Sequence, residues 1–419
     1  MAKTRKIIND PVFGFLSIPE GVLFEILQHP YLQRLNRIRQ LGLSFFVYPG
    51  AMHSRFLHSL GAMHLMREAI TSLREKGVEI SENEAIASMA AILLHDVGHG
   101  PFSHVMEHTL VEGITHEEIS LMMMMHIRDH FAQVAGHVAD GQAASIMDMA
   151  IAIFKDEYPK HFLHQLISSQ LDVDRLDYLC RDSFFCGVTE GSVASARILK
   201  MMNVTADGHL VVEAKGIYSV EKFLVARRLM YWQVYLHHTS VAAEQLLIKI
   251  LERAKQLAQG GVELFCSPAL RYFLYHRITA EVFTASPEAL RQYTLLDDAD
   301  LLSAIKVWMQ SDDKVLSVLC KSFTNRQLFK GRLIEQSLTA AQEQELIEQY
   351  VKRYGVDEEE AHYFFVEHVS TSNTYSENGE SIGILYKDGT VKDIADASDM
   401  LNMETLTFKP QKRYLFHLV

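Results

Sequence analysis

Cysteine is scarce in this chain, with four in 419 residues. Cys180, Cys186, Cys266 and Cys320 form no C-x-x-C pair. Their spacings fit neither a zinc knuckle nor a disulfide framework, so they read as free thiols. Long apolar runs are missing too. No stretch approaches the ~18 apolar residues of a membrane span, and the basic opening MAKTRKIINDP lacks the apolar core of a secretory signal. A cytoplasmic protein with no membrane partner is the expectation. Positive charge is in short supply as well. Lys and Arg total 40 against 52 Asp and Glu, a formal net charge of −12, and the pI is near 5.9. That balance argues against the broad phosphate-backbone footprint of a nucleic-acid-binding protein, while leaving room for a local basic pocket. No internal repeat or low-complexity linker is visible.

What remains is a globular composition, 48% hydrophobic and 22% charged, in a chain long enough for one large domain and a smaller one. Its most informative run is AAILLHDVGHGPFSH. An uncharged helical stretch, 85–94, ends in adjacent His95 and Asp96, and Gly98, Gly100 and Pro101 then break the helix. An unpaired aspartate after such a run would be costly, and a metal ion would remove that cost. One imidazole nitrogen and one carboxylate oxygen make a mixed donor set, suited to Mn, Fe, Zn or Mg rather than a thiolate metal. Taken alone, a histidine at a helix end is more often structural than ligating. Further candidates come from His58 upstream and from DVDRLDYLCRD downstream, where helical spacing puts Asp174 and Asp177 roughly on one face. The ligand set proposed is His58, His95, Asp96 and Asp174, holding one divalent ion.

Along the chain, the first 200 residues read as successive helices with short loops, among them ENEAIASMAAILLHD, HEEISLMMMMHIRDHF, AASIMDMAIAIF and FLHQLISSQLD. The methionine run 121–126 reads as core filling. Residues 203–216 read as a hairpin turning at Asp207-Gly208, and 220–258 as one long helix. After about residue 325 a helix ending at Gly355 gives way to strand-like HYFFVEHVST, SIGILYKDGTVKDI and KRYLFHLV. The fold expected is mainly α, with a small hairpin insertion and a smaller C-terminal α+β unit at 326–419.

The order His…His-Asp…Asp resembles the HD-domain phosphohydrolases. The segments KIINDPVFGFLSIP, QRLNRIRQLG, YPGAMHSRFLHSLG, LLHDVGHGPFSH, THEE and DVDRLDYLCRD are similar, in sequence order, to the deoxynucleoside triphosphate triphosphohydrolase branch. The likeness is dense over 6–187 and thinner to 247. It implies an HD-type catalytic domain over 1–325, with a metal core at about 50–185, and hydrolysis of a deoxynucleoside triphosphate at the α-phosphorus. That reaction needs a metal at the α-phosphate, an acid for the departing 5′-oxygen and cations for the triphosphate tail. By the resemblance His104 is the acid, and His99 and His116 are further active-site histidines. Glu117 stands beside His116 to orient or charge it. Arg55, Arg175 (lysine in relatives) and Arg227 match phosphate contacts. Gln40 and Leu41 match residues packing on the deoxyribose, Asp182 the acceptor of the 3′-hydroxyl, Tyr178 a phosphate or sugar contact, and Tyr235 a base-stacking residue.

The chain departs from the pattern at Tyr231, where activated relatives have histidine, and at Phe184-Phe185, which replaces a His-His pair. The residues that read a regulatory guanine in relatives are replaced by Gln28 and Asn36, so an allosteric site is expected to be lost or to read another nucleotide. Asn9 and Asp10 survive as a potential phosphate-binding remnant. Relatives use C-terminal segments for oligomer contacts and for closing the site, and a homo-oligomer is expected here. The rival readings are another HD phosphohydrolase activity, such as a nucleotidase or phosphodiesterase, and a non-catalytic nucleotide sensor.

Overall fold

The computed structural model describes residues 6–102, 104–133, 142–371, 381–400 and 410–419, with the side chains of 104, 107 and 108 outside that set. The architecture is mainly α, a helical core with small β elements. Its centre is the helix Glu82–Leu94. Ser81 starts it with a capping box, its hydroxyl accepting from the Glu84 amide while the Glu84 carboxylate accepts from the Ser81 amide. Ala85, Ala87, Met89, Ala90, Ala91, Ile92, Leu93 and Leu94 are all buried, as expected of a helix that is apolar all round. It packs between Arg55–Glu75 on one side and Ala143–Phe154 on the other. Val173–Cys186 lies against Arg55–Glu75. Asp172 caps it by accepting from the Arg175 amide at 2.8 Å, and it stops at Gly187 with φ +70°. In the methionine run of helix His116–Gln133, Met123 and Met124 are buried and Met125 is partly exposed at 37%.

The loop after His95 is pressed against helix His116–Gln133. A Cβ at Gly98 would stand 2.1 Å from the His116 carbonyl oxygen and 2.4 Å from the Ser120 nitrogen. The Ser120 hydroxyl donates to the His95 carbonyl and accepts from the Gly98 amide, both at 2.8 Å. Glycine is therefore required there by close approach.

Two sequence expectations need correction. The first 200 residues are not helices throughout, because Lys6–Asp10 and Gly14–Ile18 pair as an antiparallel hairpin. Asn9, Asp10, Pro11 and Gly14, at the strand ends and in the turn, carried that turn signal. Residues 220–258 are not one helix either. Helix Ile217–Met230 runs into a π-turn at Tyr231–Tyr235, Leu236 leaves the helical region, and His237 caps a new helix, His238–Gln259. Apolar periodicity does not register one extra residue in a turn, which is why the break was hidden.

The hairpin expected at 203–216 is present, with Met202–Val204 paired to Leu210–Glu213 and Gly208 at φ +86°. Gly383–Leu385 then adds in parallel to Leu210–Glu213, and Val391–Asp393 completes a four-stranded sheet. The rest of the C-terminal region forms a separate antiparallel sheet. Gln411–His417 is its central strand, between Lys330–Leu333 and Phe365–Thr371. Helix Ala340–Tyr354 ends at left-handed Gly355, φ +61°. All four cysteines are free thiols. Among the described residues, no helix is long and apolar enough to cross a membrane.

Candidate active site

Three helical elements deliver the ligand candidates to one point. His58 comes from the first turn of Arg55–Glu75, His95 caps Glu82–Leu94, and Asp174 sits in the first turn of Val173–Cys186. Asp174 Oδ1 lies 3.0 Å from His58 Nε2 and 3.4 Å from His95 Nε2. Asp96 Oδ1 is 3.3 Å from His95 Nε2, and its Oδ2 is 3.9 Å from His58 Nε2. The donor atoms of His58, His95 and Asp174 all fall within 4.8 Å of one another, as do those of Asp96, His99 and His116. Asp96 joins the two groups, because its Oδ1 is also 3.3 Å from His99 Nε2.

The imidazoles are oriented from behind. Asp177 Oδ2 holds His58 Nδ1 at 2.7 Å, and the Ile92 carbonyl holds His95 Nδ1 at 2.7 Å. Each ring therefore turns its Nε2 inward, and among the described residues both Nε2 atoms are buried without an aligned hydrogen-bond partner. Buried nitrogens with this outer support and facing carboxylates are what a divalent cation requires. Burial alone would lower the His58 imidazole, but Asp174 and Asp177 override it and lift it to about 10. Burial likewise opposes ionisation of Asp174 and Asp96, yet the surrounding imidazoles, with Arg55 at Asp96, hold both well below the usual carboxylate range. His99 goes the other way. Burial first and the Arg55 charge second push it down to about 3, so it is a neutral ring. It stacks on His116 with centroids 3.8 Å apart.

Beside this cluster lies a cavity of about 320 Å³. Gln40, Leu41, Arg55, Tyr178, Asp182 and Tyr235 all line it, together with Arg39, Phe102, Tyr231 and Glu244. Arg55 belongs to both places, since its Nη1 donates to Asp96 Oδ2 at 2.6 Å. Asp182 is held by two groups, with His53 Nε2 at 2.8 Å from Oδ1 and the Tyr235 hydroxyl donating to Oδ2 at 2.8 Å. Arg175 and Arg227 do not line the cavity wall, but stand close enough to Tyr178 for their charge to oppose the rise that burial imposes on its phenol. Arg175 pairs with Asp172, and Arg227 donates to Gln170 at 3.1 Å. Among the described residues, the Nε of each is buried without a partner. Glu117 is exposed. His104 opens the short helix His104–Thr109, and its side chain lies outside the described residues.

Sequence reasoning missed His53, which sits in the loop before Arg55 and stacks on Phe185 at 4.4 Å. No periodicity marks a loop residue. It also missed the orienting role of Asp177, although the Asp174–Asp177 spacing carried the signal. Gln28 and Asn36 are both exposed, and the Asn36 amide donates to Gln33. Asp10 is buried against Arg181 rather than open to a phosphate.

The HD domain model matches residues 55–182, and the HD associated region matches 193–264. A crystal structure of a phosphohydrolase from Bacteroides thetaiotaomicron superposes with a TM-score of 0.93 at 55% identity, covering 99% of this chain and 100% of that one. An uncharacterized Bacillus subtilis protein, YwfO, is 34% identical over 78% of this chain and 71% of its own length. The deoxynucleoside triphosphate triphosphohydrolase SAMHD1 of Bos taurus is 30% identical over 67% of this chain, which spans 52% of that enzyme.

Proposed function

This chain belongs to the HD-domain phosphohydrolase family, and from that premise we propose that it hydrolyses deoxynucleoside triphosphates at the α-phosphorus. The observation supporting this reading is that Arg55 lines the cavity while bonding Asp96, so phosphates bound by Arg55 would lie beside the metal-binding cluster. A divalent ion held by His58, His95, Asp96 and Asp174 would polarise the α-phosphate and lower the pKa of a bound water. Water oxygen joins phosphorus, the bond to the 5′-oxygen breaks, and deoxynucleoside and inorganic triphosphate leave.

The chain's own residues supply the rest. His104 delivers the proton to the departing 5′-oxygen, a role assigned from its place in GHGPFSH. His99 and His116 complete the histidine cluster, with Glu117 beside His116. Arg55, which lines the cavity, and Arg175 and Arg227, which stand near Tyr178, neutralise the tail. Leu41 and Gln40 pack on the sugar, where an apolar wall disfavours a 2′-hydroxyl. Asp182, already fixed by His53 and Tyr235, accepts the 3′-hydroxyl, and Tyr178 and Tyr235 face sugar and base. The 326–419 region is assigned to oligomer contacts or to closing the site. Lys412 supports the latter, lying over the Trp232 ring at 4.1 Å in the turn that carries Tyr231 and Tyr235.

Purified protein screened with deoxy- and ribonucleoside triphosphates, each with Mn, Mg, Fe or Zn, tests the proposal. Release of triphosphate from deoxynucleotides in preference to ribonucleotides supports it. Orthophosphate or pyrophosphate as product indicates another HD phosphohydrolase activity, and binding without turnover indicates a sensor. Activity with one nucleotide species alone fits loss of the guanine-reading pair at Gln28 and Asn36.

A further inference from the structure

The metal-binding cluster is tied to the first hairpin of the chain by a buried line of charges. Asp10, at the end of strand Lys6–Asp10, accepts from Arg181 Nη1 at 2.7 Å. Arg181 grips Asp177 with its other two nitrogens, Nε to Oδ2 and Nη2 to Oδ1, both at 2.9 Å. Asp177 Oδ2 in turn holds His58 Nδ1 at 2.7 Å. The side chains of Asp10, Arg181 and Asp177 are all 0% exposed, and that of His58 is 1% exposed. All three guanidinium nitrogens of Arg181 are thus engaged, which fixes the fork in the plane that presents Asp177 to the imidazole. Helix Arg55–Glu75 makes room for it at Gly61, where a Cβ would stand 1.9 Å from Asp177 Oδ1 and 2.1 Å from Arg181 Nη2.

We propose that Asp10 is a positioning residue for the metal ligand His58, acting through Arg181 and Asp177. The inference rests on the metal-centre reading above. Without the Asp10 carboxylate, one arm of a fully buried guanidinium has no acceptor. Arg181 then shifts toward any other acceptor, Asp177 turns with it, and the His58 ring loses the orientation that aims Nε2 at Asp174. Outer partners of this kind typically change metal affinity by about 10- to 100-fold.

Asp10 has a second task, and the two are separable. Its Oδ1 accepts from the Val12 and Phe13 amides at 2.9 and 2.8 Å and builds the hairpin turn, while Oδ2 alone meets Arg181. Asp10→Asn keeps an oxygen for the turn and sets an NH2 group against the guanidinium. Asp10→Ser keeps a turn acceptor and removes the carboxylate.

The test is Mn2+ titration of the full-length wild type and both variants, followed by electron paramagnetic resonance of free Mn2+, alongside thermal unfolding of the metal-free proteins. The expected result is a Kd for Mn2+ raised about tenfold in each folded variant. A lowered unfolding temperature with wild-type Mn2+ affinity would show a turn-forming role only and overturn the inference, as would failure of both variants to fold. If the wild type itself takes up no Mn2+, the metal-centre reading falls and this inference with it. If the wild type binds and the variants bind equally, this inference falls alone.

Discussion

His58 faces opposite demands at its two nitrogens. Asp177 holds Nδ1, and Nε2 looks into a pair of carboxylates. Without a metal, those acids stabilise a proton on the ring, which they lift to about 10 against the burial that would lower it. Measured from an ordinary value of 6.5, that proton adds stability below about pH 6.5, and the contribution fades as pH rises toward 10. A cation held there would take the proton's place, so metal uptake near neutral pH is expected to release it, with affinity climbing by about a decade per pH unit. Calorimetry in buffers of different ionisation enthalpy is expected to show about one proton or more released per Mn2+ bound. Uptake with no proton release contradicts the assignment. Removing the proposed acid is a separate matter. His104→Ala is expected to lower kcat by about 10²- to 10⁴-fold at unchanged metal content, and unchanged turnover would make another group the acid. At this scale the sequence was legible wherever chemistry sat on helical spacing. His95-Asp96 stands at the end of an apolar run, and Asp174 and Asp177 share a face. His53 sits in a loop, where a single histidine has no pattern to betray it.

Helix Arg55–Glu75 acts as an element through a tight contact at Gly61. Its residues His58 and Gly61 are three apart, so the ligand and the gap for Asp177 and Arg181 fall on the same face. Gly61→Ala forces backbone or ion pair to move. It is expected to destabilise the protein by about 3 kcal/mol, read by denaturant unfolding, and to weaken Mn2+ binding together with stability. A variant of wild-type stability would show that the helix has slack at this point. Elements bounded by strong local chemistry were legible in advance. Gly98, Gly100 and Pro101 follow the end of one helix, Gly355 ends another, and Asp207-Gly208 turns a hairpin. The π-turn at Tyr231–Tyr235 was not, because Tyr, Trp, Gln and Val run through it without a breaker. That turn carries Tyr231 and Tyr235 into the cavity, so the hidden irregularity is the one that shapes the site.

The whole molecule carries a net charge of −12 and still gathers Arg39 and Arg55 on one cavity, with Arg175 and Arg227 near it. Such a local field can draw a polyanion to an otherwise repelling surface. The strand Gly383–Leu385 joins the hairpin sheet across the chain, a long-range pairing that no local pattern announces. Only the strand-like character of SIGIL was readable. At this scale light scattering after size exclusion, at micromolar concentration, is expected to give a dimer or tetramer, and a strict monomer rules the oligomer proposal out. The central claim is cleavage of the bond between the α-phosphorus and the 5′-oxygen beside His58, His95, Asp96 and Asp174. Turnover of a deoxynucleoside triphosphate by Mn-loaded protein in 18O-enriched water tests it most directly. The account predicts equal amounts of deoxynucleoside and triphosphate, with the heavy oxygen in the triphosphate. Deoxynucleoside monophosphate with pyrophosphate, or heavy oxygen on the nucleoside, would contradict it.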